Sequence, residues 1–141
     1  MYEVSKAVID TNVLVYDIFE DSIHHREASR LLDDLRRWII PSIVIHELIW
    51  FLRGMNIDTR VAIDVVLQYL RSYKTEIIPI STRDVVDAVS TIKQEGLSLS
   101  RYNDKLILTI ALRLKSPLAS FNNRLRREAL NKGIMVLPKS I

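Results

Sequence analysis

The stretch KAVIDTNVLVYDIFEDS, Lys6 to Ser22, sets an acid between two apolar runs. Ala7-Val8-Ile9 reads as a short strand that closes near Asp10, and Val13-Leu14-Val15 resumes the apolar pattern at once. A carboxylate there loses water unless something replaces it. Either Asp10 is a turn residue at a strand end, or it binds something.

Outward from this strand, Lys6 to Asp10, the pattern alternates. A helix is expected over His24 to Arg37, with Ser22 as its possible cap. RWIIP (37–41) reads as a second strand closed by Pro41, and Ser42 caps a helix to about Arg53. Asp58 caps another to about Ser72, with Val61, Val65 and Leu70 among its apolar positions. EIIPI (76–80) reads as a third strand, and Ser81-x-x-Asp84 has capping-box spacing for a helix to about Glu95. A helix over Asn103 to Lys115, the strand PLASF (117–121), a helix over Asn123 to Asn131 stopped by Gly133, and the strand IMVLP (134–138) complete the series. Strands separated by helices imply βαβ units: a three-layer α/β/α sandwich on a five-stranded, mostly parallel sheet. Such sheets bind ligands beyond the carboxyl ends of their strands, at a switch in strand order. Asp10 ends the first strand and Asn122 follows the fourth, so both fall at that edge.

The chain has 141 residues, 48% of them apolar, which suits one domain over 1–141 with its own core. It has no cysteine. That excludes a disulfide framework, a thiolate zinc site and a cysteine nucleophile, and fits a cytoplasmic location. No apolar run reaches the ~18 residues of a membrane span, and MYEVSK lacks the core of a signal peptide. Met1 to Trp50 holds five Lys/Arg against nine Asp/Glu, whereas Arg101 to Ile141 holds nine against two. A basic half invites a polyanion, nucleic acid first; a generally basic, solvated surface accounts for the same count. There is no G-x-x-x-x-G-K, G-x-G-x-x-G or G-x-S-x-G motif. An aspartyl phosphotransferase would often carry a second Asp where this chain has Asn12.

Glu47 poses the Asp10 question again. On a helix its same-face neighbours are Ile43, Val44, Trp50 and Phe51, where an unpaired carboxylate is costly to bury. It calls for an Arg from elsewhere or a metal ion. Asp104 opens a helix, where an acid suits the dipole, while Asn103 or Ser100 could supply the cap and leave it free. Three separated carboxylates fit Mg²⁺ or Mn²⁺, which prefer oxygen ligands and keep several waters.

Other polar residues have plainer readings. His24 and His25 read as solvated helix residues. Asp17, Glu20 and Asp21 could widen a negative pocket, but suit a solvated face or cap. Asp84 reads as a cap acid and Asp87 as exposed. Arg124 and Arg127 share a helix face beside Asn122 and could grip phosphates, or form a solvated basic face. Arg101 is a weaker candidate for that role. Trp38, Trp50 and Phe51 read as core.

Asp-Thr-Asn after the first strand, Glu47 in the second βα unit, Asp104 opening a late helix and the closing SFNNRLRREALNKGIMVLP together resemble the PIN domain family, above all its VapC-type toxins. The resemblance covers the whole chain in order. It implies a homodimer and a Mg²⁺- or Mn²⁺-dependent endoribonuclease silenced by a cognate antitoxin protein, with RNA as substrate. Asp10, Glu47 and Asp104 match the family's acidic metal positions, and Thr11, Asn12 and Ser120 its supporting polar positions. Asn122 departs from the pattern, standing where the family usually has another acid. Its amide oxygen can accept from a metal-held water but carries no charge. The same departure is compatible with a PIN-like module that binds RNA or a protein partner without cutting.

Overall fold

β-branched and aliphatic residues dominate five short strands that pair in parallel in the order β3-β2-β1-β4-β5. The structure, a computed structural model, describes residues 4–140; Met1 to Glu3, the front of the MYEVSK segment, and Ile141 lie outside the described residues. The elements run β1 (Lys6–Ile9), α1 (Thr11–Ile18), α2 (His25–Asp34), β2 (Arg37–Pro41), α3 (Ser42–Gly54), α4 (Thr59–Arg71) and β3 (Thr75–Ile78). Then come α5 (Thr82–Glu95), a 3₁₀ turn (Leu99–Arg101), α6 (Tyr102–Leu114), β4 (Leu118–Ala119), α7 (Asn123–Asn131) and β5 (Val136–Leu137). This is the expected α/β architecture.

β1 lies at the centre. Val8 sits opposite Ile39 of β2 on one side and Leu118 of β4 on the other. Ala7, Val8, Ile9, Ile40, Leu118 and Ala119 have no exposed surface, as strands covered on both faces require. Right-handed crossovers place helices by the direction of chain travel across the sheet. The helices accordingly fall into two packed sets: α1 meets α2 and α3, and α3 meets α4, whereas α6 meets α5 and α7. Strand order reverses between β1 and β4, so the switch point lies where Asp10 and Ser120 leave the sheet. No helix among the described residues is long and apolar enough to cross a membrane.

Local signals explain most boundaries. Asp58 caps α4 by accepting from the N–H groups of Arg60 and Val61. Ser81 and Asp84 form the expected capping box on α5. Gly133 takes φ +81° after α7, a conformation open to glycine at little cost.

Several expectations need correction. The apolar run after Asp10, which the expected series leaves unassigned, is a helix, α1. Ser22 caps nothing: its hydroxyl donates back to the carbonyls of Tyr16 and Phe19. α2 stops at Asp34, because Arg36 and Arg37 turn their N–H groups to Ser5 and start β2. On α4, Val66 and Tyr69 are buried while Val61 and Leu70 face solvent. α3 follows Pro41 without a side-chain cap from Ser42. Neither Asn103 nor Ser100 caps α6; Ser98 caps the preceding turn through the N–H of Ser100.

Candidate functional site

Asp10 sits between β1 and α1, extended at φ −76° and ψ 154°, and only 5% exposed. Its Oδ1 accepts the N–H of Thr11 at 2.8 Å, which caps α1. Its Oδ2 accepts from the Ser120 hydroxyl at 2.7 Å and from Asn12 Nδ2 at 3.0 Å. Asn12 reaches further: its Oδ1 accepts the N–H of Phe121 at 3.0 Å. Asp-Thr-Asn thus ties the end of β1 to the end of β4 across the switch point.

The other acids join the same network. Thr11 Oγ1 donates to Glu47 Oε1 at 2.6 Å, and Asn103 Nδ2 donates to Oε2 at 3.0 Å. Among the described residues no Arg or Lys pairs with Glu47, so the ion-pair explanation of that carboxylate is set aside. Asp104, in the first turn of α6, is approached by Asn122 Nδ2 at 3.4 Å and by Arg101 Nε at 3.9 Å. Asn122 also donates its N–H to Ser120 Oγ at 3.1 Å. Its amide oxygen is taken up by the N–H groups of Arg124 and Leu125, as the cap of α7, rather than left to face a water.

Burial pushes the Asp10 carboxyl up to about 7; the negative charges of Asp104 and Glu47 add to the rise, against the Ser120 and Thr11 hydrogen bonds. Burial also raises Asp104, with Arg101 opposing and Glu47 and Glu128 reinforcing. Clustered acids that resist ionisation are what a divalent cation relieves. Among the described residues no three His, Asp or Glu groups converge tightly enough to coordinate one ion together. The set fits Mg²⁺ or Mn²⁺ nonetheless, because these hard ions take one or two carboxylates and keep water in the remaining positions.

The raised Asp10 carboxyl makes the metal-free fold pH-sensitive. A group held above its unfolded value of 3.8 contributes stability below that value and loses it as pH rises through about 7. In EDTA the melting temperature is therefore expected to fall from pH 5 to pH 8, by an amount equivalent to at most ~3 kcal/mol. A flat profile in calorimetry over that range would contradict the assignment.

The basic candidates separate. Arg124 and Arg127 are exposed on α7, and the charge of Arg124 acts on Asp104. Arg101 is only 13% exposed and pairs with Glu128. Arg126, between the two exposed arginines, is buried and donates to the carbonyls of Ser120 and Pro138, pinning the β4 end to the chain beyond β5. Sequence reading missed Asn103 as a partner of Glu47, and missed Glu128 and Lys105 behind Asp104.

Three further readings change. His24 is not solvated: it stacks on Phe121 at 4.7 Å and meets the edge of Tyr16 at 5.1 Å. Asp17 widens no pocket, since it accepts from Tyr69 and Ser29. Trp50 is 57% exposed and Phe51 is also exposed, whereas Trp38 is largely covered and donates its Nε1–H to Leu32. Asp87 is exposed, as expected.

A PIN domain family profile matches residues 7–130. No curated protein sequence matches the chain. Among solved structures, it is similar to VapBC2 from Rickettsia felis bound to a DNA fragment from its promoter: 21% identity, 93% of this chain and 96% of that chain covered, TM-score 0.67. VapBC-1 from nontypeable Haemophilus influenzae matches at 16% identity over 96% and 99% of the two chains, with TM-score 0.69. Mycobacterium tuberculosis VapC20, a toxin that cleaves the sarcin-ricin loop, matches at 14% identity over 88% and 95%, with TM-score 0.73.

Proposed function

The chain belongs to the PIN domain family, and from that premise we propose that it is a metal-dependent endoribonuclease hydrolysing RNA phosphodiester bonds, the toxin of a toxin–antitoxin pair. One observation carries the reading: the buried Asp10 carboxylate, held near a pKa of 7, shares a hydrogen-bonded network with Glu47 and Asp104 at the switch point of the sheet. Asp10, Glu47 and Asp104 would hold Mg²⁺ or Mn²⁺ together with retained water, one or two of the carboxylates binding directly. When bound, such an ion polarises a phosphate and makes water a better nucleophile at neutral pH.

The chain's own groups do the positioning. Ser120 and Asn12 orient the Asp10 carboxylate; Thr11 and Asn103 orient Glu47; Asn122 faces Asp104 with an N–H. Arg124 and Arg127 project from the start of α7 and contact RNA phosphates on either side of the cut. The toxin–antitoxin complexes among the solved relatives support a cognate antitoxin as partner. So does the apolar groove of about 690 Å³ between α3 and α4, bordered by exposed Ile49 and Ile63. The protein acts as a homodimer in the cytoplasm, one PIN-like domain to each chain.

Purified protein is expected to cut a mixed structured RNA in Mn²⁺ or Mg²⁺, with cleavage abolished by EDTA and by Asp104→Asn. Asn122, with no charge to offer an ion, favours the second reading, a non-cutting module. RNA binding that ignores EDTA, with no cleavage in either metal, would establish that reading and overturn the first.

A further inference from the structure

Behind Asp104 lies a chain of charges that the proposed chemistry leaves unused. The Arg101 guanidinium is anchored by Glu128 through Nη2. The other Glu128 oxygen accepts from Lys105 Nζ at 2.6 Å, and Lys105, 2% exposed, also reaches Glu95 at 2.8 Å. Burial opposes the charge on Lys105, but the Glu128 and Glu95 hydrogen bonds outweigh it and raise its pKa. This frame fixes Arg101 against α6 rather than leaving it free to solvent.

Its Nε is buried and makes no hydrogen bond among the described residues. It lies 3.9 Å from Asp104 Oδ2, too far to be satisfied by that oxygen and close enough for a strong charge interaction. An orphaned N–H on a charged group is expensive to bury. Asn122, the other neighbour of Asp104, also presents a donor, and its oxygen is taken up by α7. Asp104 is therefore met by the N–H groups of Arg101 and Asn122, and the oxygens of nearby Glu128 are taken up by Arg101 and Lys105 rather than left for a second cation.

We propose that Arg101 is a built-in cation of the site: held by Glu128, it stands beside Asp104 in place of a second divalent ion, so that each chain takes up one Mg²⁺ or Mn²⁺. The inference rests on the metal-dependent reading and specifies it. Arg101 supplies positive charge from a fixed position, and Glu128 and Lys105 are its positioning residues.

The test is Mn²⁺ binding to the full-length, RNA-free protein, followed by calorimetry and by the electron paramagnetic resonance of unbound Mn²⁺. Wild type is expected to bind one equivalent. Arg101→Met removes a competing charge, so it is expected to bind Mn²⁺ roughly three- to tenfold more tightly. The same variant is expected to cut RNA at least roughly tenfold more slowly. Arg101→Lys keeps the charge and should bind Mn²⁺ as wild type does. A merely structural arginine would weaken both binding and cleavage together. Two equivalents of comparable affinity in wild type would overturn the inference while leaving the metal-dependent reading intact. Unchanged or weaker binding in Arg101→Met, or an Arg101→Lys that behaves like Met, would overturn it as well. Absence of Mn²⁺ binding would overturn both. Should Arg101→Met fail to fold, wild-type stoichiometry and Arg101→Lys still decide.

Discussion

Asp10→Asn is expected to slow RNA cleavage by roughly 10²–10⁴-fold and, in the same protein, to remove the loss of metal-free stability between pH 5 and pH 8. The first effect follows from taking a carboxylate away from a cation whose Lewis acidity is worth several kcal/mol to the reaction. The second follows from the burial that holds the Asp10 carboxyl near 7: an amide has no charge to desolvate. Opposite signs on activity and on the pH dependence of stability mark a group retained for function at the expense of the fold. Single-turnover cleavage in Mn²⁺ and denaturant melts in EDTA at pH 5 and pH 8 measure the two arms. An Asp10→Asn protein that cuts like wild type would remove Asp10 from the reaction. One that keeps the wild-type pH slope would move that slope to another group.

Arg113→Met is expected to destabilise the protein by about 3 kcal/mol without touching the site. Asp84 has no exposed surface, yet its carboxylate accepts from Arg113 Nε at 2.9 Å and Nη2 at 3.0 Å besides closing the capping box of α5. Breaking a buried pair leaves an uncompensated charge, an effect of ~3–5 kcal/mol, and the partial exposure of Arg113 places this case at the lower end. The sign with pH is the reverse of Asp10. Burial works against the Asp84 charge, but Arg113 and Ser81 hold its pKa below the usual value. Their contribution is present at neutral pH and is lost as pH falls through that depressed value. Urea melts at pH 7 give the magnitude. A loss below about 1 kcal/mol would show that water reaches Asp84 once the arginine is gone. Adding Asp84→Asn to Arg113→Met should recover part of the loss.

The sheet was legible because its strands carry the simplest signal: short aliphatic runs closed by Pro41, by Asp10 and by the turn before α7. The capping residues Asp58, Ser81 and Asp84 mark real helix starts because their side chains satisfy N–H groups nearby in sequence. α1 escaped notice for the opposite reason. Its eight residues form too short a run for helical periodicity to emerge, and Asp-Thr-Asn looks like a loop until Asp10 is seen to cap it. The site acids Asp10 and Glu47 stood out as carboxylates among apolar neighbours. Asn103, Glu128 and Lys105 did not, since a polar residue on a helix looks solvated until the fold supplies partners 23 to 56 positions away. His24 misled in the same way: its cover is Phe121, nearly a hundred residues on. Trp50 and Phe51 show the limit of reading apolar as buried, because a helix can present a hydrophobic face outward.

The position of β4 bears on how the protein is made. β1 is synthesised first, but its second neighbour in the sheet is β4, which follows more than a hundred residues later. Until Leu118 and Ala119 slot beside Val8 and Ile9, Asp10 lacks Ser120, and Asn12 lacks the backbone of Phe121. A chain still emerging from the ribosome, at roughly 5–20 residues per second, thus carries its acids for several seconds without the frame that gathers them. The topology delays competence until translation has passed the fourth strand, and the machine that makes the protein is meanwhile in contact with an unassembled site.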